Sequence, residues 1–262
     1  MKHSIRKKIL SSSLVLTCVI AGYEPFKDIL AITMDTIQPT FSSAPAKTVN
    51  TEEHWPVVRW QIKDLSTAAK VKYLSSLEKD VILHLNMART NPPKYARDFI
   101  APRARYYKGK LYREPWESSN FAGYVKQEGV EAVRECVSVM EETPSISILQ
   151  PSRGLSLASK DHAIDQSRTG NTGHAGSDRS TPLSRMDRYG DWQVIMGENV
   201  FYGPASGREI VVGLLVDDGV PNRGHRINIL NRQFRVVGVS IKKHPVYRYV
   251  CVIDFAGAYK DD

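Results

Sequence analysis

The sequence predicts an α+β fold. Three observations carry the assignment. Helical apolar periods with capping signals fill most of the chain from about residue 75 to 218. Two β-branched, alternating runs, "RVVGVSIK" and "YRYVCVIDFA", come late and close together. Nowhere do strand and helix alternate in the regular βαβ rhythm of a parallel sheet.

The chain has 262 residues and a net charge of +8. It opens on "MKHSIRKKILSSSLVLTCVIAGYEPF". Lys2, Arg6, Lys7 and Lys8 form a basic front, and Ile9 to Gly22 is an apolar run diluted by serines, too short to span a bilayer. This pattern predicts a signal peptide over 1–21, cleaved after Ala21. An uncleaved anchor and a lipid-modified Cys18 are the alternatives, although Val-Leu-Thr is a poor acylation signal. Cleavage leaves a mildly basic chain of +4, on which no nucleic-acid partner can be argued. No transmembrane helix is expected in the mature chain.

Residues 22–70 read as an arm or linker, since "TIQPTFSSAPAKTVNTEE" is rich in Ser, Thr and Pro. Trp55 and Trp60 follow and are expected to dock on the main domain, residues 71–262. A helix begins after Ser75, where Ser75 and Glu78 fit a capping box and Leu77, Val81, Leu85 and Ala88 recur at helical spacing. Asn91-Pro92-Pro93 stops it. "APRARYYKGKLYREPW" is a basic, aromatic loop, able to meet an anionic polymer or headgroup or simply to dock its tyrosines. Glu128 to Glu142 reads as helix. Another follows Pro151 and ends at Gly170.

"NTGHAGSDRSTPLSRMDRYG" is loop-like, and "GENVFYG" reads as a short strand. Ser206 and Glu209 suggest a second capping box, followed by Ile210, Val211, Leu214 and Leu215, with Gly219 as the stop. The two late runs around "KHPV" form an antiparallel hairpin. Cys136 and Cys251 remain in the mature chain; export permits a disulfide, and the sequence leaves open whether they meet.

No nucleophile elbow, phosphate-binding loop, dinucleotide fingerprint or H-E-x-x-H helix is present. Polar groups stand instead beside glycines: Gly173-His174, Gly197-Glu198, Asp217-Asp218-Gly219 and Gly224-His225. Glycine permits close backbone approach at the rim of a cleft. Two imidazoles and two carboxylates form a plausible set for a divalent metal, zinc most naturally. Taken singly, each histidine reads as an ordinary hydrogen-bonded structural residue.

"LNMARTNP", "LASKDHAIDQ", "GHAGSDRSTPLSRMDRYG", "MGENVFYG", "RGHRINILN", "FRVVGVSI" and "VIDFAG" occur in one order. Together, over about 74–259, they resemble the CAP superfamily of cysteine-rich secretory, antigen 5 and pathogenesis-related 1 proteins, and its bacterial secreted branch most closely. The resemblance implies an α–β–α sandwich. Residues 101–148 would be a helical insertion between the family's first two helices. It further implies a cleft holding His174, Glu198 and His225. The family's fourth residue, a glutamate, is replaced here by Asp217 or Asp218. The family's tryptophan on that helix is also replaced, near Leu214 or Leu215. Gly224 would turn the chain, Ile227, Ile229 and Leu230 would anchor it, and Arg223 and Arg226 would pair with acids such as Asp217 and Asp218.

The leading functional expectation is a secreted, non-catalytic module. Its cleft binds a divalent metal, through His174 and His225, and a lipid, peptide or cell-envelope ligand. The alternative is a metal-assisted hydrolase or peptidase with Glu198 as general base. A third is a structural surface domain.

Overall fold

The computed structural model describes residues 59–114 and 122–262. The expected signal peptide, the arm as far as residue 58, and Trp55 lie outside the described residues.

Packing begins at Trp60. Its indole N–H donates to Asp98 at 2.9 Å and its ring stacks on Phe99. The short helix α1 (Ile62–Leu65) follows, and Leu65 and Ala68 are buried in the main core. Residues 60–70 therefore pack as part of the domain, ahead of the boundary expected at 70.

Helix α2 (Ser76–Thr90) starts with the expected capping box. The Ser75 hydroxyl accepts from the Glu78 amide, and one Glu78 oxygen accepts from the Ser75 amide at 2.8 Å. The other Glu78 oxygen accepts from the Ile241 amide, so the box also ties the helix to a strand. Val81, Ile82, Leu85 and Ala88 are fully buried. Each large aliphatic among them contributes about 1.5–3 kcal/mol by leaving water. Asn91 ends α2 as expected, but its side chain accepts from the Lys94 amide and starts a new turn, α3 (Pro92–Tyr95). Proline is tolerated there because the first helical N–H groups need no intrahelical partner.

The insertion is not purely helical. It contains a small antiparallel sheet of β1 (Tyr107–Lys108), β2 (Leu111–Tyr112) and β3 (Tyr124–Val125), then helix α4 (Val130–Glu142). The sequence hid the sheet because two-residue strands carry no measurable alternation.

The main sheet has four strands in the order β4-β6-β7-β5. These are β4 (Gln150–Pro151), β5 (Gly190–Gly203), β6 (Val236–His244) and β7 (Arg248–Asp261). The late runs form the expected hairpin, β6 antiparallel to β7, and β7 is also antiparallel to β5. Strand β5 spans 14 residues, well beyond the short "GENVFYG" segment. Helix α5 (Arg153–Thr169) ends in left-handed Gly170 and covers one face. Helices α2 and α7 (Gly207–Val216) cover the other. Alternation along β7 sorts the side chains: Cys251, Ile253 and Phe255 join the α2 and α7 core, while Val250 and Val252 pack opposite. The layers make the α–β–α sandwich.

Two local expectations change and one open question closes. Ser206 makes no side-chain cap, because Glu209 is drawn to Arg103 and Asp80 takes the Gly207 amide instead. Helix α7 ends at left-handed Asp217, two residues before Gly219. Cys136 and Cys251 are both buried free thiols, on α4 and β7.

Candidate functional site

His174 sits in the long connection after α5. The chain there is pinned at Gly173, whose φ of +91° suits glycine. The Gly173 amide donates to the Tyr202 hydroxyl at 2.8 Å, and its carbonyl accepts from the Gln166 side-chain amide at 2.6 Å. Tyr202 in turn donates to Gln166. This ring of bonds joins α5, the loop and β5, and fixes where His174 leaves the backbone.

The His174 Nδ1 meets a Glu198 oxygen at 2.7 Å. Arg185, on α6 (Pro182–Met186), donates to the other Glu198 oxygen at 2.7 Å and to the His174 carbonyl at 3.0 Å. Both the Arg185 and Glu198 side chains are only 1% exposed. Burial pushes the Glu198 carboxyl up, but the His174 bond and the Arg185 charge outweigh it, so the net displacement is downward. Glu198 is therefore an anion committed on both oxygens.

Directly across from Glu198 on β7 is Asp254, fully buried and accepting a 2.8 Å bond from Ser159 of α5. Burial first, then the Glu198 charge, hold its carboxyl well above the usual range. Within this buried carboxyl pair Asp254 is thus the harder to ionise and Glu198 the easier.

The second histidine belongs to a matching pair. Left-handed Asp217 turns its carboxylate back onto helix α8 (Gly224–Ile229). One oxygen meets His225 Nδ1 at 2.6 Å and the other accepts from the His225 amide at 2.9 Å. Asp218 is elsewhere: it accepts from the amides of Gln127, Glu128 and Gly129 and clamps the insertion. The open choice between the two acids thus falls to Asp217.

The surroundings of His225 depart from expectation in three ways. The left-handed residue at the turn is Arg223, with φ of +50°, and Gly224 needs no unusual dihedral. Ile227 is half exposed, so Ile229 and Leu230 alone anchor α8. Arg223 and Arg226 do not pair with the Asp217 or Asp218 carboxylates. Arg223 forks onto Glu128 and buried Arg226 onto Glu135, each with two bonds of 2.6 Å. Asp218 is held by backbone and Asp217 by His225, so the insertion supplies the free acids.

Strand β5 links the pairs. Glu198 holds His174 from one face, and the next residue, Asn199, donates from the other to the His225 carbonyl at 3.0 Å. Asn228 donates to Asn199 at 2.8 Å. Successive side chains of a strand face opposite ways, so β5 reaches the His174 ring from one face and the His225 backbone from the other. The structure thus forms two pairs rather than one four-membered cluster. Among the described residues, no group of three or more His, Cys, Asp or Glu is disposed to hold a metal ion.

Each Nδ1 is engaged by a carboxylate, which fixes the tautomer with its proton there. Each Nε2 is left as a lone-pair donor, without a hydrogen-bond partner among the described residues. Glu198 and Asp217 would act by orienting the rings, not as ligands.

Arg185, Asp254, Asn199 and Asn228 escaped the sequence reading. Asp254 had a signal, an acid inside the apolar run "CVIDFA". Arg185 had none, being one of several arginines in its loop.

Residues 145–255 match the family model described as "CAP: Cysteine-rich secretory protein family". An outer surface protein from Borrelia burgdorferi is similar at 19% identity, over 45% of this chain and 80% of that one, with a TM-score of 0.36. An extracellular protein containing an SCP domain from Bacillus anthracis is similar at 21% identity, over 48% of this chain and 37% of that one, with a TM-score of 0.35. No curated protein matches the sequence. Among the described residues, no helix is long and apolar enough to cross a membrane.

Proposed function

We propose that this protein, whose residues 145–255 match the CAP family model, is a secreted binding module. His174 and His225 hold a divalent cation, zinc by preference, and the surface around them takes a lipid, peptide or cell-envelope ligand. The observation that carries this reading is the pair of histidine–carboxylate dyads, each with Nδ1 engaged and Nε2 without a hydrogen-bond partner among the described residues. A bound zinc would offer a Lewis-acidic point for an oxygen of the ligand. The chain's own residues supply orientation: Glu198 and Arg185 set His174, and Asp217 and Asn199 set His225.

The hydrolase alternative asks Glu198 to accept a proton from water. Both its oxygens are committed and its carboxyl is held below the usual range, which makes it a poor base. Metal content after purification without chelators, followed by turnover on a broad peptide library, separates the readings. Metal without turnover is the expected outcome. Turnover abolished by Glu198→Gln would overturn the non-catalytic assignment. Absence of metal, with no uptake of added zinc, would leave a structural domain.

A further inference from the structure

Between the insertion and the tip of the β6–β7 hairpin lies a cavity of about 510 Å³. Small-molecule sites are typically about 300–1,000 Å³. Neither His174 nor His225 lines it. Its walls are largely aromatic, from Tyr112 and Tyr124 on one side and Phe201 and Tyr247 on the other.

The charges on this wall do not cancel. Glu114 and Glu209 both face Arg103, whose guanidinium bridges them. That leaves Lys126 and Arg248, which line the same cavity. Neither side chain has a hydrogen-bond or ion-pair partner among the described residues; the Lys126 ammonium lies over the Tyr112 ring, 5.9 Å from its centroid. Burial holds that ammonium below its ordinary value, the Asp218 charge only partly offsetting it. Glu114 is itself only 6% exposed, and its Oε2 has no hydrogen-bond partner.

The cavity thus presents aromatic walls, a half-buried ammonium and an exposed guanidinium without ion-pair partners among the described residues, and one buried acceptor without a donor among them. A purely apolar ligand would leave the cations and the acceptor unmet. A small inorganic anion would leave the rings unused. A sugar ring has apolar C–H faces for aromatic stacking and hydroxyls at its edge, and an acidic sugar adds a carboxylate. We propose that this cavity binds an acidic saccharide. Its ring lies against Tyr247, its carboxylate meets Lys126 and Arg248, and a hydroxyl donates to Glu114.

Calorimetric titration of the full chain with trigalacturonate tests this, with neutral tri-N-acetylglucosamine and phosphatidylglycerol vesicles as comparisons. Trigalacturonate is expected to bind, and the neutral trimer to bind at least about tenfold more weakly, since a charge-assisted contact is worth roughly 1.4 kcal/mol or more. Lys126→Gln and Arg248→Gln should each weaken trigalacturonate severalfold, and Arg248→Lys should recover part of the loss. Tyr247→Ser should weaken both saccharides, and its ring is half exposed, so the fold tolerates the change. Failure to bind either saccharide, equal binding of both, affinity unmoved by the substitutions, or binding to the vesicles alone would each overturn the proposal.

Discussion

Replacing Arg185 by methionine removes the one cation beside Glu198 while keeping the bulk of the side chain. In the native protein the guanidinium donates to Glu198, to the His174 carbonyl, and to the Ser180 carbonyl at 3.1 Å. The substitution leaves a carboxylate that is 1% exposed, paired only with an imidazole and facing the buried Asp254. Breaking a buried ion pair by deleting one partner costs about 3–5 kcal/mol, and total stability for a domain is typically about 5–15 kcal/mol. Urea unfolding at pH 7 should therefore show a loss of at least about 3 kcal/mol. The loss should depend on pH. Native Glu198 has a depressed carboxyl, so its contribution is present above the unfolded value of about 4.3 and disappears as pH falls through the folded one. Without Arg185, burial regains the upper hand and Glu198 takes up a proton at a higher pH. The difference between native and variant should thus shrink on acidification. Glu198→Gln should make the same substitution at 185 far cheaper, because no charge is left unpaired. A loss below about 1 kcal/mol at pH 7, or one independent of residue 198, would refute the reasoning.

Arg89 is fully buried without a carboxylate, and its guanidinium donates to the carbonyls of Ser147, Ile229, Asn231 and Phe234. Burial lowers its pKa to about 10, so it stays charged at neutral pH. Arg89→Met should cost more than about 3 kcal/mol by urea unfolding, since each orphaned buried carbonyl costs about 1–3 kcal/mol. Asp254→Asn should stabilise the protein in neutral buffer. The folded carboxyl is raised, so above about pH 4 the unfolded chain ionises ahead of the folded one, and stability declines with pH. Thermal melts should show that gain vanish below about pH 4. Gly238→Ala should prevent α5 from docking, because an added Cβ would lie 2.1 Å from the Leu155 carbonyl carbon. Circular dichroism of that variant should show no cooperative transition like that of the native chain.

The fold was legible where periodicity and caps are long enough to read. The Ser75 box, the Gly170 stop and the β6–β7 hairpin all appear where their residues point. Legibility failed where a distant partner decides. Glu209 has the spacing of a capping residue, yet Arg103, 106 positions away, claims its carboxylate. Gly224 looked like the turn residue, but Asp217 grips the His225 amide and transfers the left-handed strain to Arg223. The ordered motifs singled out His174, Glu198 and His225 as candidates. Which acid each histidine meets was not legible, because it rests on side-chain contacts that spacing does not show.

His174 and His225 are proposed to serve one cation. Calorimetric titration of zinc into the chelator-stripped protein, beside His174→Ala, His225→Ala and the double variant, tests it most directly. A single site is expected, strongly weakened by either substitution and little further by both. Zinc affinity unchanged in both single variants, or two independent sites each lost with its own histidine, would contradict it.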